Sequence, residues 1–206
     1  MADPLTKLSS KYKCDKSQKK QNYTGKYHAR LKDMRPFEFN MLEFGFGKGK
    51  SAQMWLEYFP KANVVSVDIR DPKEYQKFQN NRFEYIQADQ TDKNKVADII
   101  TKYRNFYLVI DDASHVPEDQ QFTLGYMFPF VEPGGWYVIE DLLCPRSHSK
   151  TLPKSRRTIP VLKEFINTDG LFNSPTIDKN QKMYLRDHID YIKLYEKIAF
   201  IKKRGV

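Results

Sequence analysis

The chain is expected to fold as an α/β protein with a mostly parallel sheet and helices on both faces. Three observations carry this expectation. Short β-branched or aromatic runs alternate with stretches of helical period. The first run leads directly into a glycine turn and a helix start, Met41-Leu42-Glu43-Phe44-Gly45-Phe46-Gly47-Lys48-Gly49-Lys50-Ser51. Acidic residues stand at or just beyond the carboxyl ends of successive runs: Glu43, Asp68, Asp89, Asp111-Asp112 and Glu140-Asp141. Ligands of parallel sheets bind outside those strand ends, so this is where function is expected.

The elements follow in order. Residues 1–22 are polar and lysine-rich and are expected to be a partly flexible segment, its first dozen residues disordered; residues 23–206 are expected to form one domain. A helix over Tyr23 to Met34 leads into a strand over Phe39 to Phe44. The helix from Ser51 to Phe59 stops at Pro60, and Val64-Val65-Ser66-Val67-Asp68 is a β-branched strand. A short helix over Pro72 to Gln79 precedes a strand at Phe83 to Gln87. In Asn94 to Tyr103 the residues Val96, Ile99, Ile100 and Tyr103 share a helix face. Phe106 to Ile110 is the fourth strand, and Pro117 opens a helix to Phe130, since proline suits a first helical turn. Glu132-Pro133-Gly134-Gly135 reads as a turn before a fifth strand, Trp136 to Ile139. Residues 142–157 form a basic, proline-containing loop, Ile159 to Asn167 a helix, and the tail (Tyr191 to Leu194 with Ile198 to Lys203) a closing antiparallel hairpin. The total is seven strands.

Composition narrows the class. At 206 residues, 40% hydrophobic and 14% aromatic, the chain has material for one sizeable core. No run approaches the roughly 20 apolar residues that span a bilayer, and the first ten residues lack a secretory core segment. A cytoplasmic protein with no membrane partner is expected. Cys14 and Cys144 are then reduced thiols of structural or surface kind. The net charge of +9 is concentrated at both ends and at Arg146 to Arg157. Such charge suits an anionic partner or a solvated basic face, and no nucleic-acid-reading motif accompanies it.

The glycine turn indicates a nucleotide-like cofactor. Glycine allows positive φ and close backbone approach, and a helix start offers unpaired N–H groups. Asp68, about twenty residues on, is placed for two ribose hydroxyls. A dinucleotide needs G-x-G-x-x-G, whereas the spacing here is G-x-G-x-G with Lys50 following. Glu43 would also repel a diphosphate. It suits a cationic tail, such as the ammonium and sulfonium of S-adenosylmethionine.

These residues resemble the class I S-adenosylmethionine-dependent O-methyltransferases, a Rossmann-like family. Within it the Mg-dependent macrolide sugar type is the nearest in pattern. The resemblance rests on Glu43 to Ser51, Met54-Trp55 with Tyr58-Phe59-Pro60, and Val67-Asp68-Ile69. It extends to Asp111-Asp112-Ala113-Ser114-His115, Pro133 to Asp141, and upstream Asp15-Lys16, Tyr23-Thr24 and Tyr27. It covers roughly residues 12–142; residues 143–190 match weakly and are where substrate contacts are expected. The antibiotic-modifying members of that type are larger, so their assembly and macrolide acceptor do not carry over.

The resemblance implies a site. Cofactor contacts would come from Glu43, Gly45, Gly47, Gly49, Ser51, Asp68, Ile69, Asp89, Gln90 and Asp111, with Tyr23 and Tyr27 as a lid or as packing. Mg²⁺ would be held by Asp112, Glu140 and Asp141, hard oxygen donors suited to that ion. It would bind the oxygens of a vicinal diol, and His115 would be the general base. The implied activity is O-methylation of a sugar or other small natural product, with a saccharide or glycoside as partner. A homo-oligomer stays open, and nucleic acid is not expected. The basic loop (Arg146, Lys150, Lys154, Arg156, Arg157) would suit an anionic acceptor. Two other classes stay open. A nucleic-acid 2′-O-methyltransferase would need a lysine where His115 stands, and a non-catalytic S-adenosylmethionine-binding protein would need only the glycine turn.

Overall fold

The computed structural model describes residues 2–71, 80–143, 151–168 and 170–205. The chain divides into two compact units, residues 1–88 and 89–206. The helix expected over Pro72 to Gln79 lies outside the described residues, as do Cys144, Arg146, His148 and Lys150.

The first unit opens with a helix, α1 (Pro4–Lys11), where disorder was expected. Asp3 accepts from the Thr6 N–H at its start, and Pro4 occupies the first helical position. Leu5 is completely buried, which gives this short polar helix an anchor. Helix α2 (Thr24–Leu31) follows, then a turn of 3-10 helix to Met34 and strand β1 (Asn40–Phe44). Helix α3 (Lys50–Tyr58) buries Met54, Trp55, Leu56 and Tyr58. Strands β2 (Asn63–Asp68) and β3 (Phe83–Gln87) complete the unit. All three strands are parallel, in the order β3-β2-β1. The almost unbroken burial of β1 and β2 is what a parallel sheet covered on both faces demands. Their carboxyl ends, Glu43-Phe44 and Asp68, therefore emerge on one edge.

The second unit begins with α4 (Lys93–Tyr103), capped by Asp92, which accepts from the N–H groups of Asn94 and Lys95. Strand β4 (Phe106–Asp111) leads to α5 (Pro117–Met127), whose Glu118 and Asp119 in the first turn suit its positive end. Strand β5 (Val131–Ile139) is parallel to β4 and starts earlier than expected. The Glu132 to Gly135 stretch is a bulge inside the strand, with the register shifting between Phe106 and Leu108. Gly134 has φ 73°, and a Cβ on Gly135 would meet Tyr107 O at 2.7 Å, so both positions require glycine.

Helices α6 (Thr158–Asn167) and α7 (Lys179–His188) follow. The latter was not expected from the sequence. Strands β6 (Ile189–Leu194) and β7 (Ala199–Lys203) close the unit as an antiparallel hairpin on β5, giving the order β4-β5-β7-β6. Three strands in one unit and four in the other make the seven expected among the described residues. Lys203 fastens the hairpin: its buried Nζ donates to the carbonyls of Phe128 (3.3 Å), Pro129 (2.9 Å) and Val131 (2.6 Å). No helix among the described residues is long and apolar enough to cross a membrane.

Candidate functional site

In the first unit the chain leaves β1 through three left-handed glycines, with φ 95° at Gly45, 58° at Gly47 and 67° at Gly49. Gly45 N donates to Val67 O at 2.7 Å, tying the turn to β2. A Cβ on Gly49 would lie 2.5 Å from Phe46 Cζ, while one on Gly47 would meet nothing within 4 Å. Gly47 is therefore the point where a ligand can reach the backbone. Asp68 ends β2, and its Oδ2 accepts from the N–H groups of Phe46 (3.0 Å) and Gly47 (3.1 Å). Arg70 grips the same carboxylate, with Nη2 to Oδ2 at 2.8 Å and Nε to Oδ1 at 3.1 Å. Burial pushes this carboxyl up, but the hydrogen bonds from Arg70 and Gly47 outweigh it and hold it below the ordinary range. Ile69, next in line, is 67% exposed, an apolar surface free to take a flat ring.

Glu43 sits differently from the expectation of an open carboxylate facing a cofactor. Its side chain is fully buried and accepts from Ser51 Oγ at 2.8 Å and Trp55 Nε1 at 3.3 Å. Lys16 Nζ, equally buried, lies 3.6 Å from its Oε1. The charge assigned to a cationic tail is matched from within the unit, and Ser51 is engaged in the same group. Tyr23 and Tyr27 are buried as well, and the Tyr27 ring packs edge-on to Trp55 at 5.1 Å. They present no face to solvent, and Tyr27 packs α2 against α3, so neither stands as an open lid. Cys14 is also interior, and burial pushes its thiol up to about 12, leaving it protonated and inert.

In the second unit one glutamine organises the end of β4. Gln90 Nε2 donates to Asp111 (3.2 Å to Oδ1) and to Thr123 Oγ1 (2.9 Å), and its Oε1 accepts from the Ser114 N–H at 3.0 Å. Its amide is spent on the loop after β4 and offers no edge to an adenine. Asp111 is buried beneath that loop. Burial above all pushes its carboxyl up to about 7, against the hydrogen bonds from Gln90 and the Ala113 amide. Asp89 accepts from the N–H and hydroxyl of Thr91, both at 2.8 Å, so it caps its own turn.

Asp112, His115 and Asp141 come together. Each offers a ligand atom, and these atoms all lie within 4.8 Å of one another. His115 Nε2 is 4.0 Å from Asp141 Oδ2. The parallel register that pairs Asp111 with Ile139 brings the two strand ends level, and Glu140 N donates to Asp111 O at 2.9 Å. His115 and Asp141 both have left-handed backbones, φ 60° and 52°, a conformation costly for residues other than glycine and typical of functional sites. His115 Nδ1 is buried and has no hydrogen-bond partner among the described residues. Glu140, expected as a metal ligand, is 2% exposed and stands outside this group, while His115, expected only as a base, stands within it. Two carboxylates and an imidazole on one point fit a divalent cation. Gln120 supports the arrangement by donating to Glu140 O at 3.2 Å and accepting from Thr158 Oγ1 at 2.8 Å.

The remaining histidines among the described residues are structural, as expected. His28 bonds Tyr58 Oη at 2.8 Å, and His188 bonds Tyr184 O at 2.9 Å. In the basic loop, Arg156 donates to Glu164 and to Asn173 O, both at 3.3 Å, so it holds α6. Arg70 and Gln120 were not singled out from sequence, and Lys16 was quoted only within the resemblance, with no partner assigned to it. Only Arg70, two residues past Asp68, stood where a signal could be read.

No family model matches the chain. It is 29% identical to mycinamicin VI 2''-O-methyltransferase of Micromonospora griseorubida over 211 residues, 97% of this chain and 52% of the relative. It is 28% identical to demethylmacrocin O-methyltransferase of Streptomyces fradiae, covering 97% of this chain and 53% of the relative. The chain is thus similar over nearly its whole length to two enzymes named as O-methyltransferases. MycE, a methyltransferase from the mycinamycin biosynthetic pathway solved in complex with Mg and SAH, matches with a TM-score of 0.82 and 28% identity. That match covers 100% of this chain and 55% of MycE, so the fold is the class I methyltransferase fold that the resemblance implied. The chain spans about half the length of the curated relatives it matches.

Proposed function

We propose that the chain is an S-adenosylmethionine-dependent O-methyltransferase that acts, with Mg²⁺, on a hydroxyl of a sugar or glycoside. The observation that carries this reading is the meeting of Asp112, His115 and Asp141 at the ends of two parallel strands, in a homologue of enzymes named for that reaction. Residues 23–206 would serve as one catalytic domain, working in the cytoplasm.

The first unit takes the cofactor. The open side of Gly47 would admit it to the backbone, Asp68 would accept from its ribose hydroxyls, and exposed Ile69 would lie against its base. Because Glu43 is neutralised by Lys16, its part is to hold Ser51 and Trp55 and so to fix the turn. The second unit takes the acceptor. Asp112 and Asp141 would hold the cation, which when bound lowers the pKa of a coordinated hydroxyl. His115 would accept the hydroxyl proton as that oxygen attacks the methyl carbon and the sulfur leaves as a thioether. The protein's remaining contribution is orientation, which Gln90 supplies by fixing the loop that carries Asp112 and His115.

Asp112→Asn and His115→Ala are expected to lower turnover by about a hundredfold or more, with affinity for S-adenosylhomocysteine, measured by calorimetry, within a few-fold of wild type. Chelation with EDTA is expected to stop methyl transfer, and a screen of glycosides identifies the acceptor. Normal methylation by either variant, or activity that survives chelation, would remove the reading.

A further inference from the structure

We propose that His115 makes the Asp112–His115–Asp141 cluster a discriminator between divalent cations: Mg²⁺ leaves the imidazole free, whereas a cation of the zinc class captures it and stops the reaction. The proposal rests on the reading above and adds regulation of the same site.

The geometry separates the two outcomes. A single cation can reach both carboxylates and the imidazole, since one ligand atom from each lies within 4.8 Å of the others, and Nε2 stands 4.0 Å from Asp141 Oδ2. Mg²⁺ takes oxygen donors and keeps several waters, so the two aspartates satisfy it without nitrogen. Zn²⁺ and Co²⁺ bind imidazole strongly and accept four-coordinate sites built from histidine and carboxylate. For them the third donor adds directly to affinity. Nothing among the described residues fixes the imidazole against this, because Nδ1 has no hydrogen-bond partner to select a tautomer. Both residues have left-handed backbones, φ 60° at His115 and 52° at Asp141, and their side chains already approach to 4.0 Å, Nε2 to Oδ2.

One lone pair on Nε2 serves either the metal or the proton. With Mg²⁺ on the aspartates it takes the proton of the acceptor hydroxyl. With Zn²⁺ bound through all three residues it is donated to the ion, and no base remains. The cation that binds more tightly is thus the one that does not support turnover.

Titration calorimetry with the chlorides of Zn²⁺, Co²⁺ and Mg²⁺ on the full chain tests this. His115→Asn is the informative variant, because asparagine tolerates the left-handed backbone and removes the Nε2 donor; His115→Ala is the second. Zinc affinity is expected to fall about tenfold or more in both, while magnesium affinity stays within about threefold. The visible absorption of bound Co²⁺ is expected to change between wild type and His115→Asn. Micromolar zinc is expected to inhibit the magnesium-loaded wild type. Unchanged zinc affinity in the variants, or parallel loss of zinc and magnesium, would overturn the proposal. The binding measurements need no turnover. Zinc discrimination without methylation of any glycoside would leave the metal assignment standing and sink the proposed function instead.

Discussion

Arg70 closes on Asp68 as a two-pronged clamp, Nη2 to Oδ2 at 2.8 Å and Nε to Oδ1 at 3.1 Å, while the N–H groups of Phe46 and Gly47 already occupy Oδ2. In the proposed function a ribose diol would need acceptors on that same carboxylate, so Arg70 would compete with the cofactor. The Arg70 side chain is 49% exposed, which limits such a pair to about 0.5–1 kcal/mol. Arg70→Met is therefore expected to bind S-adenosylhomocysteine about two- to fivefold more tightly by calorimetry. Weaker binding would mean that the guanidinium helps hold the ligand rather than excluding it.

The same pair has a pH signature. The folded Asp68 carboxyl lies below its ordinary value, so its stabilisation is fully present above about pH 4 and is lost as pH falls through the folded pKa. Wild type is expected to melt slightly above Arg70→Met at pH 7, with the gap closing below about pH 4. A gap that widens in acid would contradict the assignment.

Lys16 and Glu43 set the stability of the glycine turn. Both are buried, so removing one charge strands the other, a loss of about 3–5 kcal/mol. Lys16→Met should show that loss in urea unfolding and should weaken cofactor binding as Ser51 and Trp55 are released. The double variant Lys16→Met with Glu43→Gln is expected to recover much of the stability. Equal damage in single and double variants would show that packing, rather than charge, is what Lys16 provides.

What the sequence made legible divides along physical lines. The strands stood out because β1, β2 and β4 are buried along nearly their whole length and read as continuous apolar runs, with their carboxylates as endpoints. Asp112, His115 and Asp141 were each named from strand ends and the resemblance, but the expected metal set held Glu140 in place of His115, because which of these groups share one point depends on packing. Helix α7 was missed although Asp178 and Gln181 carry a complete capping box, because its single buried residue, Leu185, leaves almost no periodicity. Helix α1 hides for the same reason behind Leu5. The role of Lys16 was invisible: Asp15-Lys16 helped carry the resemblance, but nothing in a lysine-rich segment shows that the carboxylate partner of Lys16 is buried 27 positions ahead, as the numbers of Lys16 and Glu43 show. Gln90 was read as a ligand contact because an exposed edge and a buried clamp use the same amide.

That clamp yields the sharpest test of how the site is held. Gln90 both donates to Asp111 and Thr123 and accepts from the Ser114 N–H, so it joins β4, α5 and the loop bearing Asp112 and His115. Gln90→Leu keeps the volume and removes every bond, leaving several buried polar groups unpaired at about 1–3 kcal/mol each. Turnover is expected to fall with stability. Gln90→Glu separates the two effects. Glutamate can still accept from Ser114, but in place of the amide donor it sets a second carboxyl against Asp111, and two buried carboxyls that close must share a proton. Asp111 is already pushed up to about 7 by burial. The folded Gln90→Glu variant therefore holds a proton that its unfolded chain releases near pH 4, and stability falls as pH rises through that window. Urea unfolding should place it close to wild type at pH 5 and well below it at pH 8. A constant difference across that range would mean that Gln90 acts by shape alone.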